Sequence, residues 1–69
     1  MKISARNTLK GKILSINKGP VSTEVILEIT PGVQIASSIT THSADAMGLK
    51  VGDSAYGIIK ASSVMIGID

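Results

Sequence analysis

No cysteine occurs in the 69 residues, so no disulfide can staple the fold. A single histidine, His42, leaves a structural zinc site short of ligands. Phe and Trp are absent, and Tyr56 is the only aromatic residue. Modules that read single-stranded nucleic acid stack bases on aromatic side chains inside a basic groove. Here the basic residues are scattered (Lys2, Arg6, Lys10, Lys12, Lys18, Lys50, Lys60) and the net charge is only +2. That balance suits a small anion better than a polynucleotide. No stretch approaches the ~20 apolar residues of a membrane helix. Met1-Lys2-Ile3-Ser4-Ala5-Arg6 lacks the apolar segment of a signal peptide, so a cytoplasmic protein is expected.

What remains is aliphatic. Hydrophobic residues make up 43% of the chain, and the core must come from Ile, Val and Leu with Met1, Met47 and Met65. The β-branched excess favours strands over helices. A chain this short buries only about 60% of the surface its unfolded form exposes. With neither disulfide nor metal available, association of copies is the remaining way to stabilise it.

Turn signals at Gly19-Pro20, Pro31-Gly32, Gly48, Gly52-Asp53 and Gly67 divide the chain evenly. Between them the sequence predicts strands over 9–17, 21–29, 33–39, 54–60 and 64–68, with 1–3 as a short edge pairing. In 21–29 the alternation is clean: Val21, Thr23, Val25, Leu27 and Ile29 share one face. Gly11 inside the first strand signals a bulge or a close backbone approach. A short helix is expected to begin near Thr40, capped by Thr41 or Ser43, and to end at Gly48. Five strands with a helix between the third and fourth predict an all-β, OB-fold-like five-stranded Greek-key barrel with one short helix. An SH3-like barrel is the alternative.

Catalytic groups are scarce. Glu24, Glu28, Asp45, Asp53 and Asp69 are the only carboxylates, and no close pair is in view. Ser43, His42 and Asp45 could be imagined as a triad, but sequence neighbours rarely point at one another. His42 reads as a surface residue in the first turn of the helix. The sequence therefore predicts a binding protein and not an enzyme. Its distinctive feature is hydroxyls beside basic residues, in Ser4-Ala5-Arg6-Asn7, Thr40-Thr41-His42-Ser43 and Lys60-Ala61-Ser62-Ser63. Rotatable hydroxyls, backbone N–H groups at a helix start and two cations form a donor set for a doubly charged oxyanion. Asp45 is the only carboxylate in or beside these segments. A donor-only site favours fully deprotonated anions over phosphate, which keeps a proton at neutral pH.

Ile3-Ser4-Ala5-Arg6-Asn7, Ile39-Thr40-Thr41-His42-Ser43, Gly48-Leu49-Lys50-Val51-Gly52-Asp53 and Ile59-Lys60-Ala61-Ser62-Ser63-Val64, in this order and spacing, resemble the molbindins. These are the free-standing Mop proteins that bind molybdate and tungstate. The same module occurs as an accessory domain of molybdate-responsive regulators and transporter ATPases. The resemblance covers essentially the whole chain. It implies a single Mop (TOBE-like) domain over 1–69, assembled as a homohexamer, a trimer of dimers, in the bacterial cytoplasm. It also implies storage or buffering of molybdate and tungstate at subunit interfaces, without catalysis or catalytic cofactor, the metal being held as an intact oxyanion. By the same resemblance Ser4 and Arg6 come from one subunit. Thr40, Ser43, Lys60, Ala61 and Ser62 come from a neighbour, Ala61 through its backbone N–H. A second site on a threefold axis is implied near Gly19-Pro20-Val21-Ser22, with Lys18 and Ser22 as donors beside Gly19 and Val21. No nucleic-acid or membrane partner is expected. The rival classes are an OB-type nucleic-acid-binding module and a purely structural interaction module.

Overall fold

The computed structural model describes all residues, 1–69. Four strands form: β1 (Asn7–Lys18), β2 (Ser22–Thr30), β3 (Val33–Thr40) and β4 (Ser54–Ile59), with helix α1 (Thr41–Met47) between the last two. A 3₁₀ turn over Ala61–Ser63 follows β4. All pairings are antiparallel and the sheet order is β3-β2-β1-β4. Three consecutive strands with a fourth returning beside the first make a Greek key. The long return connection is the one that carries α1. No helix is long and apolar enough to cross a membrane.

The sheet curls so that its two edge strands touch at one point. β3 and β4 share no ladder, yet the Ile35 Cδ1 methyl lies where a side chain at Gly57 would begin. Glycine at 57 leaves room for the Ile35 tip where β3 passes over β4. Gly11 is a second close approach, since a Cβ there would sit 2.6 Å from the Glu28 carbonyl oxygen. The β1 bulge is elsewhere, between Ile13 and Ser15. At this point Ile13 also pairs with the approach to β4, its N–H donating to Asp53 O (2.9 Å) and its carbonyl accepting from Gly52 N–H (2.8 Å).

The core is small. Ile13, Val25 and Leu27 form its buried centre, with Ile16, Ile29, Ile35, Ile39, Leu49 and Ala55 packed around it. The predicted inward face of β2 is realised by Thr23, Val25 and Leu27, whereas Val21 falls in the preceding turn and is exposed. Only six of 69 residues are buried, so much aliphatic surface faces water.

Three expectations are corrected. The cap of α1 is Thr40, whose hydroxyl accepts from Ser43 N–H, and not Thr41 or Ser43. Thr41 is unavailable because its hydroxyl turns inward to Gly19 O. Gly48 ends the helix in the left-handed conformation, as its position implies. The expected fifth strand over 64–68 does not form. Met65, Ile66 and Ile68 are 92%, 90% and 95% exposed. Strand propensity measures fit to a pleated, half-buried surface, and one chain offers this segment no such surface. For the same reason 1–3 adds no edge pairing.

Candidate functional site

The donor-rich segments gather at two opposite ends of the curled sheet. Asn7 opposite Ile59 closes the β1–β4 ladder. Arg6 and Lys60 are therefore the next residues outward from that last pair, at the same end of the sheet. Ser4 lies just before Arg6, and Ala61 and Ser62 open the 3₁₀ turn. That turn's own bond runs from Ser63 N–H to Lys60 O (2.8 Å), which leaves the N–H groups of Ala61 and Ser62 outside it. Ser4, Arg6, Lys60, Ala61 and Ser62 are all exposed. This end offers two cations, two hydroxyls and free backbone donors.

At the other end, Ser22 pairs with Thr40, which joins the β1–β2 turn to the start of α1. Thr40 Oγ1 accepts from Ser43 N–H (3.1 Å) and donates to Ser43 Oγ (2.8 Å). In the free chain the Thr40 proton goes to Ser43 and the Ser43 hydroxyl proton is free; both hydroxyls rotate, so the pair can turn its protons to a ligand while the Ser43 N–H bond stays. Thr41 N–H donates to Val21 O (2.8 Å), and Gly19 N–H donates to Ser22 O (3.0 Å). Gly19 therefore supplies no N–H to an anion, while Lys18, Val21 and Ser22 remain on the surface around it. Lys18 Nζ lies 2.7 Å from Asp45 Oδ1. The one carboxylate near these donors is thus turned toward a cation. It does not face Thr40 and Ser43 with bare charge.

The two ends are far apart. A straight strand of the length of β1 spans about 35 Å, and the molecule's longest dimension is 36 Å. β3 and β4 run in opposite directions and touch at Ile35 and Gly57, so Thr40 and Lys60 lie on opposite sides of that contact. Within one chain no single oxyanion, a few ångströms across, can touch both groups. Lys60, Ala61 and Ser62 lie with Arg6 and not with Thr40 and Ser43.

The imagined triad does not assemble. Ser43 bonds to Thr40, Asp45 to Lys18, and His42 is exposed. Tyr56 carries Lys10 Nζ over its ring at 5.9 Å from the centroid, so that aromatic face is covered. Sequence reasoning passed over one feature, a buried hydroxyl pair formed by Thr23 and Thr41. The available signal was a threonine among the inward-facing residues of β2.

Residues 3–66 match the TOBE domain family. A probable molybdenum-pterin-binding protein of Haemophilus influenzae is 46% identical over 69 residues, covering 100% of both chains. MopII from Clostridium pasteurianum has the same fold, with TM-score 0.91 and 43% identity over 97% of this chain and 100% of its own. The cytoplasmic molybdate-binding protein ModG, solved with molybdate bound, superposes with TM-score 0.93 and 40% identity, over 100% of this chain and 49% of that one. The shared fold, the full-length identity and the family match together show that the chain belongs to the TOBE-domain family and, within it, to the molbindins.

Proposed function

We propose that this protein binds molybdate and tungstate in the cytoplasm and stores or buffers them at interfaces between copies of itself, in a homohexamer built as a trimer of dimers. The observation that carries this reading is the split of the donor set between two distant ends of one chain. A second copy is needed to bring them together. One copy supplies Ser4, Arg6, Lys60, the Ala61 N–H and Ser62, and another supplies Thr40 and Ser43. Relatives named for molybdenum-pterin and molybdate binding support the ligand class. The small core and exposed aliphatic surface support association. On this reading 1–69 works as one module. Its five-stranded barrel is completed only in the assembly, where 64–68 meets an edge of another copy.

Arg6 and Lys60 balance the two charges of the anion, and the hydroxyls and N–H groups fill its remaining lone pairs. No reaction follows, because the site holds an intact oxyanion with donors only. Mo–O and W–O bonds are longer than S–O bonds, so a donor ring set to the larger ions leaves sulfate short of contacts. Lys18 and Ser22 hold the second anion on the threefold axis, beside Gly19 and Val21. There the anion competes with Asp45 for Lys18.

Calorimetry with molybdate, tungstate, sulfate and phosphate on the purified oligomer tests the reading. Tight binding of the first two and weak binding of sulfate is the expected result. Equal affinity for sulfate, or full-affinity binding by a monomer in light scattering, would overturn it.

A further inference from the structure

Thr23 is fully buried and Thr41 is 9% exposed, and their hydroxyl oxygens are 2.8 Å apart. Thr41 Oγ1 donates to Gly19 O at 2.7 Å. A hydroxyl has one proton, so the Thr23 hydroxyl must be the donor to Thr41, and the relay runs Thr23 to Thr41 to Gly19. Thr41 N–H adds a bond to Val21 O. Three bonds therefore fasten the start of β2, the start of α1 and the β1–β2 turn to one another.

Stability alone does not require this. Thr23 sits on the same face as Val25 and Leu27, where valine has the same shape. Replacing both members of a buried polar pair by apolar isosteres is often close to neutral, and the Gly19 carbonyl that loses its donor is only part-buried and can turn to water. What hydroxyls add is direction. Thr41 lies between Thr40 and the Ser43 turn of α1, and Gly19 and Val21 lie between Lys18 and Ser22. We propose that Thr23 and Thr41 are positioning residues of the oxyanion site, their buried relay holding the Thr40 and Ser43 hydroxyls in fixed geometry relative to the 18–22 turn. This rests on the reading that Thr40 and Ser43 contact the anion.

The test compares molybdate affinity by calorimetry with the urea-denaturation midpoint, on whole oligomers. The double variant Thr23→Val, Thr41→Val is expected to keep a midpoint close to wild type. It should lose about tenfold in affinity, the scale seen when hydrogen bonds behind a ligand-holding group are removed. Thr41→Ser keeps the hydroxyl and loses a methyl, so it should unfold earlier yet bind as wild type. A better-folded variant that binds worse is a crossing that a merely structural role cannot produce. Thr41→Ala against Thr41→Ser repeats the comparison without a new apolar group, and only alanine should weaken binding. Wild-type affinity in the double valine variant, or affinity that simply follows the midpoint, overturns the positioning role. Thr40→Ala separates the two claims. If it weakens binding while the double valine variant does not, only the positioning role falls. If it binds as wild type, the Thr40 contact falls and the positioning role with it.

Discussion

The two ends of the sheet are built on opposite plans. At the Arg6–Lys60 end the side chains are exposed and make no side-chain hydrogen bond or ion pair within the chain. At the Thr40 end nearly every polar group already has a partner: Ser43 with Thr40, Thr41 with Gly19 and Thr23, Lys18 with Asp45. One end carries charge on long, free side chains. The other carries short hydroxyls held in place. Free lysine and arginine lose rotamer entropy when they close on an anion, whereas the hydroxyl end has already been ordered by folding. An interface site that joins the two ends combines charge from one copy with geometry from the next.

The largest expected effect breaks or confirms that division outright. Arg6→Ala and Thr40→Ala chains, each disabling its own oligomer, are mixed in equal amounts and refolded together. If the two residues reach an anion from different copies, about a quarter of the interfaces regain both. Capacity measured by equilibrium dialysis should return to that fraction. Arg6→Ala mixed with Lys60→Ala should restore nothing, since those residues share a chain. Recovery in the second mixture, or none in the first with mixed oligomers verified by mass spectrometry, would reverse the assignment.

Next in size is the charge itself. Lys60→Ala should weaken molybdate binding by about 1.5–3 kcal/mol, the worth of a hydrogen bond to a charged group. Lys10→Ala, whose ammonium lies over Tyr56, should leave affinity unchanged in the same titration. Thr40→Ala acts on the ordered end in two ways. Besides weakening binding, it removes the α1 cap, and the denaturation midpoint should report a loss of about 1 kcal/mol. Lys60→Ala should leave that midpoint alone, which sharpens the contrast between ends. The smallest effect belongs to Asp45→Asn. The Lys18–Asp45 pair is 58% exposed on both sides, so stability should change by less than about 1 kcal/mol. Losing Asp45 also frees Lys18, and a second, weaker molybdate event should tighten in calorimetry.

Much of this arrangement was legible in the residues. Alternation in β2 gave Thr23, Val25 and Leu27 their common face, because a strand's period is two. Gly48 and the glycine–proline turns bounded the elements, because few residues accept those backbone angles. The 64–68 segment reads as a strand because it is β-branched and apolar, but composition does not name the edge such a strand would pair with, and no edge of the same chain takes it. Hydroxyl and charge content picks out Ser4, Arg6, Thr40, Ser43 and Lys60 but carries no register. Only the pairing of Asn7 with Ile59 sets Lys60 beside Arg6. The Thr23–Thr41 bond links residues 18 apart in sequence and depended on the whole curl of the sheet.

The meeting of Ile35 and Gly57 has a consequence for how such sequences drift. Ile35 Cδ1 fills the place of a methyl at 57, while the other neighbours, Leu27 Cδ1 at 3.4 Å and Ile35 Cγ1 at 3.8 Å, leave ordinary room. A carbon at the root of residue 57 makes the tip of residue 35 give way. Lineages that acquire alanine at 57 should therefore carry valine at 35, reached through the shorter side chain first. The two positions, on strands that share no hydrogen bond, then evolve as one volume divided between two codons.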